Sequence, residues 1–175
     1  MEHKMSELLS IVWIFLGNNF EAILALCALM LTINRISVMR THNRISVKPF
    51  LTDHVNKDSD ARKYSYSLEL INNGLGPAFI KDFVVTFDGK KLDYNDDTDL
   101  RIQLQKLLPD GEITMCRVLG DGYAIAAKER CELLNIHTAT KAQEKINSIK
   151  EMLDKLALNI RYESIYKEVS AYSTD

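Results

Sequence analysis

The chain has 175 residues and a mass of 20.0 kDa, with 22 Lys and Arg residues against 24 Asp and Glu residues. This length suits one globular domain with an additional segment, and it is short for two independent domains. The formal net charge of -2 excludes a global basic field of the kind that drives non-specific nucleic-acid binding, so we expect no DNA partner.

The first predicted element is a membrane-spanning helix between Leu8 and Ile33. This run is apolar apart from a few small or polar residues, and about 26 residues at about 1.5 Å each exceed a hydrocarbon core of about 30 Å. A cleaved signal peptide is the alternative, but the basic region before the run is weak, with Lys4 between Glu2 and Glu7. No small-residue cleavage site precedes the basic residues that follow. We therefore predict a retained membrane anchor.

Basic residues flank this segment mainly on its C-terminal side: Arg35, Arg40, Arg44 and Lys48. The positive-inside rule therefore predicts that the N-terminus lies outside and that the rest of the chain lies in the cytoplasm. We assign residues 1–44 to the transmembrane helix with a basic neck and residues 45–175 to a cytoplasmic domain. In the neck, Arg40, Arg44 and Lys48 are expected to contact lipid phosphates. If several helices converge, the same residues would line a vestibule that attracts anions or RNA phosphates.

The polar residues inside the predicted span share one face of the helix. At 100° per residue, this stripe contains small and polar side chains, with Asn18 at its margin: Ser10, Gly17, Glu21, Ala25, Ala28, Thr32 and Arg35. A carboxylate in the membrane is costly unless it faces a partner or water, and small residues spaced three and four apart let helices approach closely.

The stripe predicts a homo-oligomer in the lipid bilayer, with Glu21 turned inward. The candidate pore-lining residues are Asn18, Glu21, Ala25, Ala28, Thr32 and Arg35. In the alternative, the crossing runs from Phe20 to Val38, and Glu21 lies at the outer interface, where it needs no partner.

Beyond the neck the sequence predicts an α+β fold, with a compact, mostly antiparallel β domain and two helices. Alternating apolar residues predict these strands: Ile45–Leu51, Tyr64–Ile71, Phe79–Phe87, then Lys91–Tyr94 after a hairpin turn at Asp88–Gly89, Glu112–Leu119, Tyr123–Ala127, and a last, bulged strand from Leu158–Tyr162 with Ser164–Val169. The polar segment Thr52–Arg62 predicts a solvated loop. Apolar periodicity predicts helices over Asp96–Leu108 and Thr138–Leu156.

The densest turn signal is the segment from Asn72 to Ala78, which contains Gly74, Gly76 and Pro77. Its glycines can adopt positive φ and its proline interrupts a strand ladder, so we predict a turn between strands. A glycine-rich loop can also cradle a phosphate, but no Lys followed by Ser or Thr stands at P-loop spacing. A purely structural turn is the favoured interpretation.

The sequence contains no catalytic triad, HExxH, EF-hand, Walker A or Rossmann motif. The four His residues are scattered, and Cys27, Cys116 and Cys131 include no close pair, so no metal site, cofactor or disulfide framework is expected.

One spacing points to chemistry, because six residues separate Arg130 from His137. In HEPN ribonucleases an R-x4-6-H element brings an Arg and a His together, where the His transfers protons and the Arg holds phosphate. HEPN domains are helical, whereas strands are predicted on both sides of Thr138–Leu156. We therefore expect no enzymatic activity and keep Arg130 and His137 as weak catalytic candidates.

The N-terminal span, the mass of 20.0 kDa and the Arg130-x6-His137 spacing together resemble the small membrane accessory protein of type VI-B CRISPR systems. The resemblance covers the layout of the whole chain. It implies a pore-forming anti-phage effector that works with an RNA-guided RNA-cutting nuclease and depolarises the bacterial inner membrane during infection. It also implies a HEPN-like motif, which carries over here to Arg130 and His137.

Three other functions stay open at the level of sequence. The β domain could bind a cyclic oligonucleotide or another small signal, which would make the chain a membrane-tethered sensor. Arg130 and His137 could serve a membrane-anchored HEPN-like ribonuclease. The chain could also be an anchoring or interaction module that forms no lumen.

Overall fold

The structure, a computed structural model, describes residues 5–6, 10, 13–15, 17–60, 63–108, 111–138 and 143–174. Within these ranges the fold is α+β, as the sequence predicts, with one long apolar helix near the N-terminus and antiparallel sheets. The chain divides into two compact units between Ile45 and Ser46, one residue beyond the predicted boundary. Parts of several predicted segments lie outside the described residues: 8–9, 11–12, 16, 61–62, 109–110 and 139–142.

The N-terminal unit contains helix α1 (Phe20–Ser46), which is 27 residues long and buries none of its side chains. Helical hydrogen bonding already begins before it, because the Asn19 N–H donates to the Phe15 carbonyl at 3.1 Å and the Ile23 N–H donates to the Asn19 carbonyl at 2.9 Å. Among the described residues, α1 is the one helix long and apolar enough to cross a membrane, a criterion that an N-terminal signal sequence also meets.

The strand predicted over Ile45–Leu51 is wrong, because α1 extends to Ser46 and the first strand begins only at Leu51. The alternation of Ile45 and Val47 is also typical of a strand, which explains the wrong prediction. Pro49 supplies no N–H for a strand ladder, and it disfavours helical geometry in the residue before it. The helix therefore ends just before the proline, and the first strand begins after it.

The C-terminal unit contains two antiparallel sheets. Sheet A consists, in spatial order, of β1 (Leu51–Asp60), β2 (Lys63–Asn72), β7 (Arg130–Thr138) and β5 (Glu112–Cys116). Sheet B consists of β4 (Lys90–Lys91), β3 (Ala78–Phe87), β8 (Leu156–Glu163) and β9 (Val169–Ser173), and β6 (Ala124–Ile125) also pairs with β3.

Two helices accompany the sheets, α2 (Asp97–Leu107) and α3 (Gln143–Asp154). A side-chain oxygen of Asp96 accepts a hydrogen bond from the Asp99 N–H at 2.8 Å, so Asp96 caps the N-terminus of α2. The buried residues of the two helices recur at helical spacing: Leu100 and Leu104 in α2, and Ile146, Ile149 and Met152 in α3.

The hydrophobic core joins the two sheets. One cluster of buried residues includes Leu68, Leu70 and Ile136 from sheet A and Ile80, Val85 and Ile160 from sheet B. The C-terminal unit is therefore a β-sandwich with helices at its margins.

Strand β1 replaces most of the loop predicted over Thr52–Arg62. It pairs with β2 along its full length, from Leu51 opposite Asn72 to Asp60 opposite Lys63. Residues 53–58 are exposed, so this edge strand is held through its backbone and shows none of the apolar alternation by which a sequence reveals a strand.

The end of the chain forms two strands where one bulged strand is predicted. A turn separates β8 from β9, in which the Ser164 N–H donates to the Glu168 carbonyl at 3.0 Å and Lys167 has φ of 60°. The helix predicted over Thr138–Leu156 is shorter at both ends, because Thr138 ends β7 and Leu156 begins β8. The hairpin turn predicted at Asp88–Gly89 is confirmed, with φ of 50° and 72°.

Candidate functional site

The predicted pore-lining residues all lie in the N-terminal unit and are exposed: Asn18 just before α1, and Glu21, Ala25, Ala28, Thr32 and Arg35 within it. The five residues in α1 follow one another at intervals of four, three, four and three, the spacing of a helix-packing seam. We call these five the α1 seam. It extends about 21 Å along the axis at about 1.5 Å per residue.

One hydroxyl of the seam is satisfied within the helix. The Thr32 Oγ1 donates a hydrogen bond to the Ala28 carbonyl at 2.8 Å, so it needs no acceptor from another chain. Glu21 is the acidic residue of the first turn of α1. The carboxylate of Glu21 and the guanidinium of Arg35 are the charged groups of the seam, and a membrane interior would be costly for both.

The predicted phosphate- or lipid-contacting residues are placed in both units. Arg40 and Arg44 lie one helical turn apart in α1, and Lys48 follows the helix end in the C-terminal unit. All three side chains are exposed. Cations at the C-terminal end of a helix also interact favourably with its dipole.

The turn after β2 fastens the first residues of the C-terminal unit to the β-sandwich. Asn72 is fully buried, and its side-chain amide both donates and accepts hydrogen bonds. The Nδ2 donates to the carbonyls of Gly76, Ile125 and Ala126 at 2.8, 3.1 and 3.1 Å, and Oδ1 accepts from the N–H groups of Phe50 and Gly74 at 3.1 and 3.0 Å. We call Asn72–Gly76 with Val47–Phe50 the loop clamp.

The two glycines of the loop clamp lie directly against the backbone of Val47–Phe50. A Cβ at Gly76 would collide with the Val47 carbonyl, and a Cβ at Gly74 would collide with the Lys48 carbonyl and the Phe50 nitrogen. Close backbone approach, which only glycine permits, therefore explains both residues. The same approach leaves no room for a phosphate between this loop and the chain that it holds.

Arg130 and His137 lie at the two ends of β7 and do not form a site together. Six residues of extended strand lie between them, so seven steps of about 3.3 Å place them about 23 Å apart. Arg130 instead forms an ion pair with Glu69 of β2 at 3.3 Å, and His137 stands opposite Ser65 of β2 and Glu112 of β5. A helix would have brought residues at this spacing close together, whereas a strand keeps them apart.

Two of the clefts on the described part of the β domain carry charged side chains on their walls. The larger, about 410 Å³, lies between α2 and β5 and is lined by Arg101, Gln105, Lys106 and Glu112 together with Ile102 and Ile113. Arg101 and Lys106 are exposed. They give this cleft basic groups that can contact an anion.

The second cleft, about 290 Å³, lies where β1 and β2 meet the end of α3 and the start of β8. We call it the acidic cleft because the carboxylates of Asp53 and Asp154 line it. Its other walls include Tyr66, Leu68, Leu153 and Leu158. Burial, with Asp53 and Asp154 nearby, raises the pKa of Tyr66 to about 12, so its hydroxyl is protonated at neutral pH.

Sequence reasoning misses the acidic cleft. Asp53 stands in the segment predicted to be a loop, and Asp154 is one of several charged residues on an amphipathic helix. The one available signal is Tyr66, which stands in the predicted strand Tyr64–Ile71. Only the pairing of β1 with β2 and the packing of α3 bring the three residues to one place.

Within the described ranges, no three His, Cys, Asp or Glu side chains gather as candidate metal ligands. Cys27, Cys116 and Cys131 are free thiols, and burial raises the pKa of Cys116 to about 11. That shift keeps this thiol protonated and unreactive at neutral pH.

No protein-family model matches this chain, and none of the curated proteins compared with it is significantly similar in sequence.

Proposed function

We propose that this chain is a single-span membrane protein that assembles through α1 into a homo-oligomeric pore, with its β domain in the cytoplasm. The observation that carries the proposal is the α1 seam. One exposed face of the helix contains all five of its residues: Glu21, Ala25, Ala28, Thr32 and Arg35. Small residues on that face allow helices to approach, and an inward Glu21 would meet other helices or water.

The continuity of α1 supports its retention as an anchor. The helix runs without interruption through Arg35, Arg40 and Arg44 to Ser46, and β1 begins at Leu51. A signal peptide ends at a small-residue cleavage site, which this stretch lacks. The basic residues after the apolar run favour a cytoplasmic β domain and an outer N-terminus.

The position of the bilayer along the helix decides the role of Glu21. The 27 residues of α1 extend about 40 Å, which is longer than a hydrocarbon core of about 30 Å. A crossing over Leu8–Ile33 would place Glu21 near mid-membrane, whereas a crossing over Phe20–Val38 would place it at the outer interface. We propose the first arrangement, in which Glu21 faces a lumen.

Assembly can be tested with two phenylalanine substitutions. Ala28→Phe places a large ring in the α1 seam, and Met30→Phe places the same ring about 160° away on the helix. We expect Ala28→Phe to reduce the mass of the protein in mild detergent to that of a monomer and Met30→Phe to leave the oligomer intact. A monomeric wild-type protein would refute assembly through α1.

Conduction requires a separate measurement. Membrane potential in cells that express the protein under an activating trigger is expected to collapse for wild type and to change for Glu21→Leu. The control Met30→Leu should behave as wild type. Unchanged potential in wild type and in Glu21→Leu alike would contradict a pore and favour a tethered sensor or interaction module.

The resemblance to type VI-B CRISPR accessory proteins supplies the biological setting of the proposal. In that setting the pore is an antiviral effector that depolarises the bacterial inner membrane in concert with an RNA-guided RNA-cutting nuclease. Depolarisation should then depend on the nuclease and its target RNA when both are co-expressed. RNA cleavage that is lost in His137→Ala would instead support the ribonuclease alternative.

The cleft between α2 and β5 favours a second candidate function, the nucleotide-signal sensor. Arg101 and Lys106 can contact phosphate, whereas the carboxylates of the acidic cleft would repel it. Calorimetry with cyclic oligonucleotides tests this function. Binding that is weakened by Arg101→Gln would support it, and the absence of heat would exclude it.

A further inference from the structure

Most of the large apolar side chains that are exposed on the described part of the β domain lie at one end of the β-sandwich. In sheet A, Leu51 at the start of β1 stands opposite Asn72 at the end of β2. In sheet B, Phe79 near the start of β3 stands opposite Ala124 of β6 and Glu163 of β8. The loop of residues 73–77 joins the two sheets at this end. We call the exposed large apolar side chains of these neighbouring segments the apolar end: Phe50, Leu75, Tyr123, Ile165, Tyr166 and Val169.

The opposite end of the sandwich is charged. It contains the hairpin turn at Asp88–Gly89, and the Asp88 N–H donates to the Lys155 carbonyl at 2.8 Å. The exposed side chains described there include Asp88, Lys90, Lys91, Asp154 and Lys155. Single exposed apolar residues are normal on a protein surface, but their concentration at one end indicates a contact surface.

The loop clamp holds Leu75 outward. Gly74 and Gly76, on either side of it, are buried. The Leu75 N–H donates to the Lys48 carbonyl at 3.3 Å. The Leu75 side chain is nevertheless 66% exposed, and that of Phe50 in the opposite segment is 60% exposed. Because the backbone is already fixed, a partner of these side chains would pay little to order it.

The turn between β8 and β9 presents Ile165 and Tyr166 in the same way. The hydroxyl of buried Ser164 accepts hydrogen bonds from the Tyr166 and Glu168 N–H groups, both at 3.2 Å. The Lys167 N–H donates to the Ser164 carbonyl at 2.9 Å. Ile165 is 59% exposed and Tyr166 is 49% exposed. A second fixed turn therefore displays two large apolar side chains at the same end.

The charges at the apolar end favour an anionic partner. Asp121 and Glu163 both pair with Lys81, at 3.5 and 3.8 Å. Glu129 accepts a backbone N–H at 2.6 Å, and Glu168 is half-buried. The exposed lysines here that form no ion pair with a described residue are Lys48, Lys128 and Lys167. The cations are therefore more available to an external charge than the carboxylates are.

We propose that the apolar end docks onto the headgroup layer of an anionic bilayer, with Leu75, Ile165 and Tyr166 among the lipids and the unpaired lysines on lipid phosphates. Interfacial binding grows with buried apolar area and with attraction between basic residues and anionic lipids, and tyrosine rings favour the interface. A bilayer is the favoured occupant because the chain enters the β domain at this end, with only residues 47–50 between α1 and β1. The inference rests on the membrane anchor of the proposed function but requires no pore.

The length of α1 sets a condition on this contact. From Ile33, where the predicted crossing ends, the helix extends about 20 Å to Ser46, and the headgroup layer occupies about 5–8 Å of that length. Membrane spans are inclined by up to about 40°, which shortens the remaining distance. A crossing that ends nearer Val38 shortens it further. Docking therefore requires an inclined or deeper α1 and excludes an upright crossing that ends at Ile33.

Quenching of a single tryptophan tests the contact in the full chain. Trp13 is the one tryptophan of the sequence and is replaced by Phe in each variant. Tyr166→Trp then places an indole in the turn between β8 and β9, and Ile102→Trp places one on α2, outside the apolar end. The chain is reconstituted in vesicles of phosphatidylcholine and phosphatidylglycerol that contain a lipid with a headgroup nitroxide. We expect the nitroxide to quench the indole of Tyr166→Trp and not that of Ile102→Trp.

The same measurement identifies the other possible occupants. Equal quenching of both indoles, or quenching of neither, would overturn the proposal. If the indole of Tyr166→Trp were shielded from aqueous iodide but not quenched by the nitroxide, another protein surface, such as a second copy of this chain, would cover the apolar end. That result would also overturn docking on lipid.

Leu75→Glu tests whether the two turns contact the bilayer as one surface. In the Tyr166→Trp background, a carboxylate at position 75 should abolish the quenching, because the cost of desolvating the charge opposes insertion. Ile102→Glu makes the same kind of change outside the apolar end and should leave the quenching intact. Both positions are exposed, so thermal unfolding is expected to match that of the parent. Undiminished quenching in Leu75→Glu would overturn the joint insertion.

The lysines are tested as a pair against a matched pair. Lys48→Gln with Lys167→Gln should reduce the quenching, as should vesicles of phosphatidylcholine alone. The control, Lys90→Gln with Lys91→Gln, removes the same charge from the opposite end and should have no effect. Equal losses in the two pairs would overturn the lysine contacts.

Failure of this inference can be distinguished from failure of the proposed function. Firm association with vesicles without quenching of Tyr166→Trp would refute docking and leave the anchor and the pore untouched. A chain that does not associate with vesicles would refute the anchor, and docking with it. A monomeric chain whose Tyr166→Trp indole is quenched would retain docking and refute the pore.

Discussion

Asn72 is expected to contribute more to the stability of the β domain than any other single polar side chain that the structure describes. Its amide joins β2 to Phe50, to Gly74 and Gly76, and to the carbonyls at the end of β6. Asn72→Ala removes all of these hydrogen bonds at once. The backbone hydrogen bonds of residue 72 to Glu129 and Lys128 would remain, so the loss isolates the side chain.

The expected cost of Asn72→Ala follows from the burial of those partners. Three of the five side-chain contacts are fully buried, those with the Gly76 carbonyl, the Ile125 carbonyl and the Gly74 N–H. An unsatisfied buried donor or acceptor costs about 1–3 kcal/mol, so we expect a loss of about 3–5 kcal/mol in the free energy of unfolding. For a domain of this size, that corresponds to a fall in Tm of about 10 °C or more.

Asn72→Asp separates hydrogen bonding from shape. It keeps the acceptor for Phe50 and Gly74 but directs a carboxylate oxygen at three carbonyls. Repulsion and burial would raise the pKa of the introduced carboxyl in the folded state above its unfolded value of about 4. The protonated form is then favoured by folding, so the destabilisation should be largest at neutral pH and should shrink as the pH falls.

Differential scanning calorimetry of the full chain in detergent provides the measurement. Asn73→Ala is the matched control, because the neighbouring Asn73 is exposed and its side chain makes a single hydrogen bond to Thr52, at 2.7 Å. We expect the control to cost less than about 1 kcal/mol. Equal, small effects of Asn72→Ala and Asn73→Ala would show that the loop clamp does not hold the domain together.

Two further predictions concern a helix cap and the acidic cleft. Asp96→Ala removes the cap of α2 and should lower the free energy of unfolding, measured by chemical denaturation, by about 1 kcal/mol. The control Asp93→Ala, in the preceding loop, should leave this free energy almost unchanged. Equal losses in the two variants would refute the capping role. Because the pKa of Tyr66 is raised from 10.0 to about 12, its contribution to stability is complete below pH 10 and is lost as the pH rises toward 12. Tyr66→Phe should therefore unfold with a weaker pH dependence between pH 10 and pH 12, and identical profiles in urea denaturation would contradict this.

The sequence by itself determined the elements with strong local signals. The apolar run with basic residues after it predicts α1, and strict alternation predicts β2 and β3 almost to the residue. The hairpin turn at Asp88–Gly89 was also predictable, since few residues adopt positive φ easily. In each of these elements the pattern lies within one short segment, so no distant partner is needed to interpret it.

Only the tertiary structure decided the features that depend on distant pairing. β1 is polar and exposed, and it becomes a strand because β2 offers its backbone along the whole length of β1. Arg130 and His137 are separated because β7 is extended between β2 and β5. The acidic cleft and the loop clamp unite segments that are far apart in the chain. Backbone hydrogen bonds and close contacts of this kind leave no periodic pattern in a sequence, because any residue can supply the backbone groups.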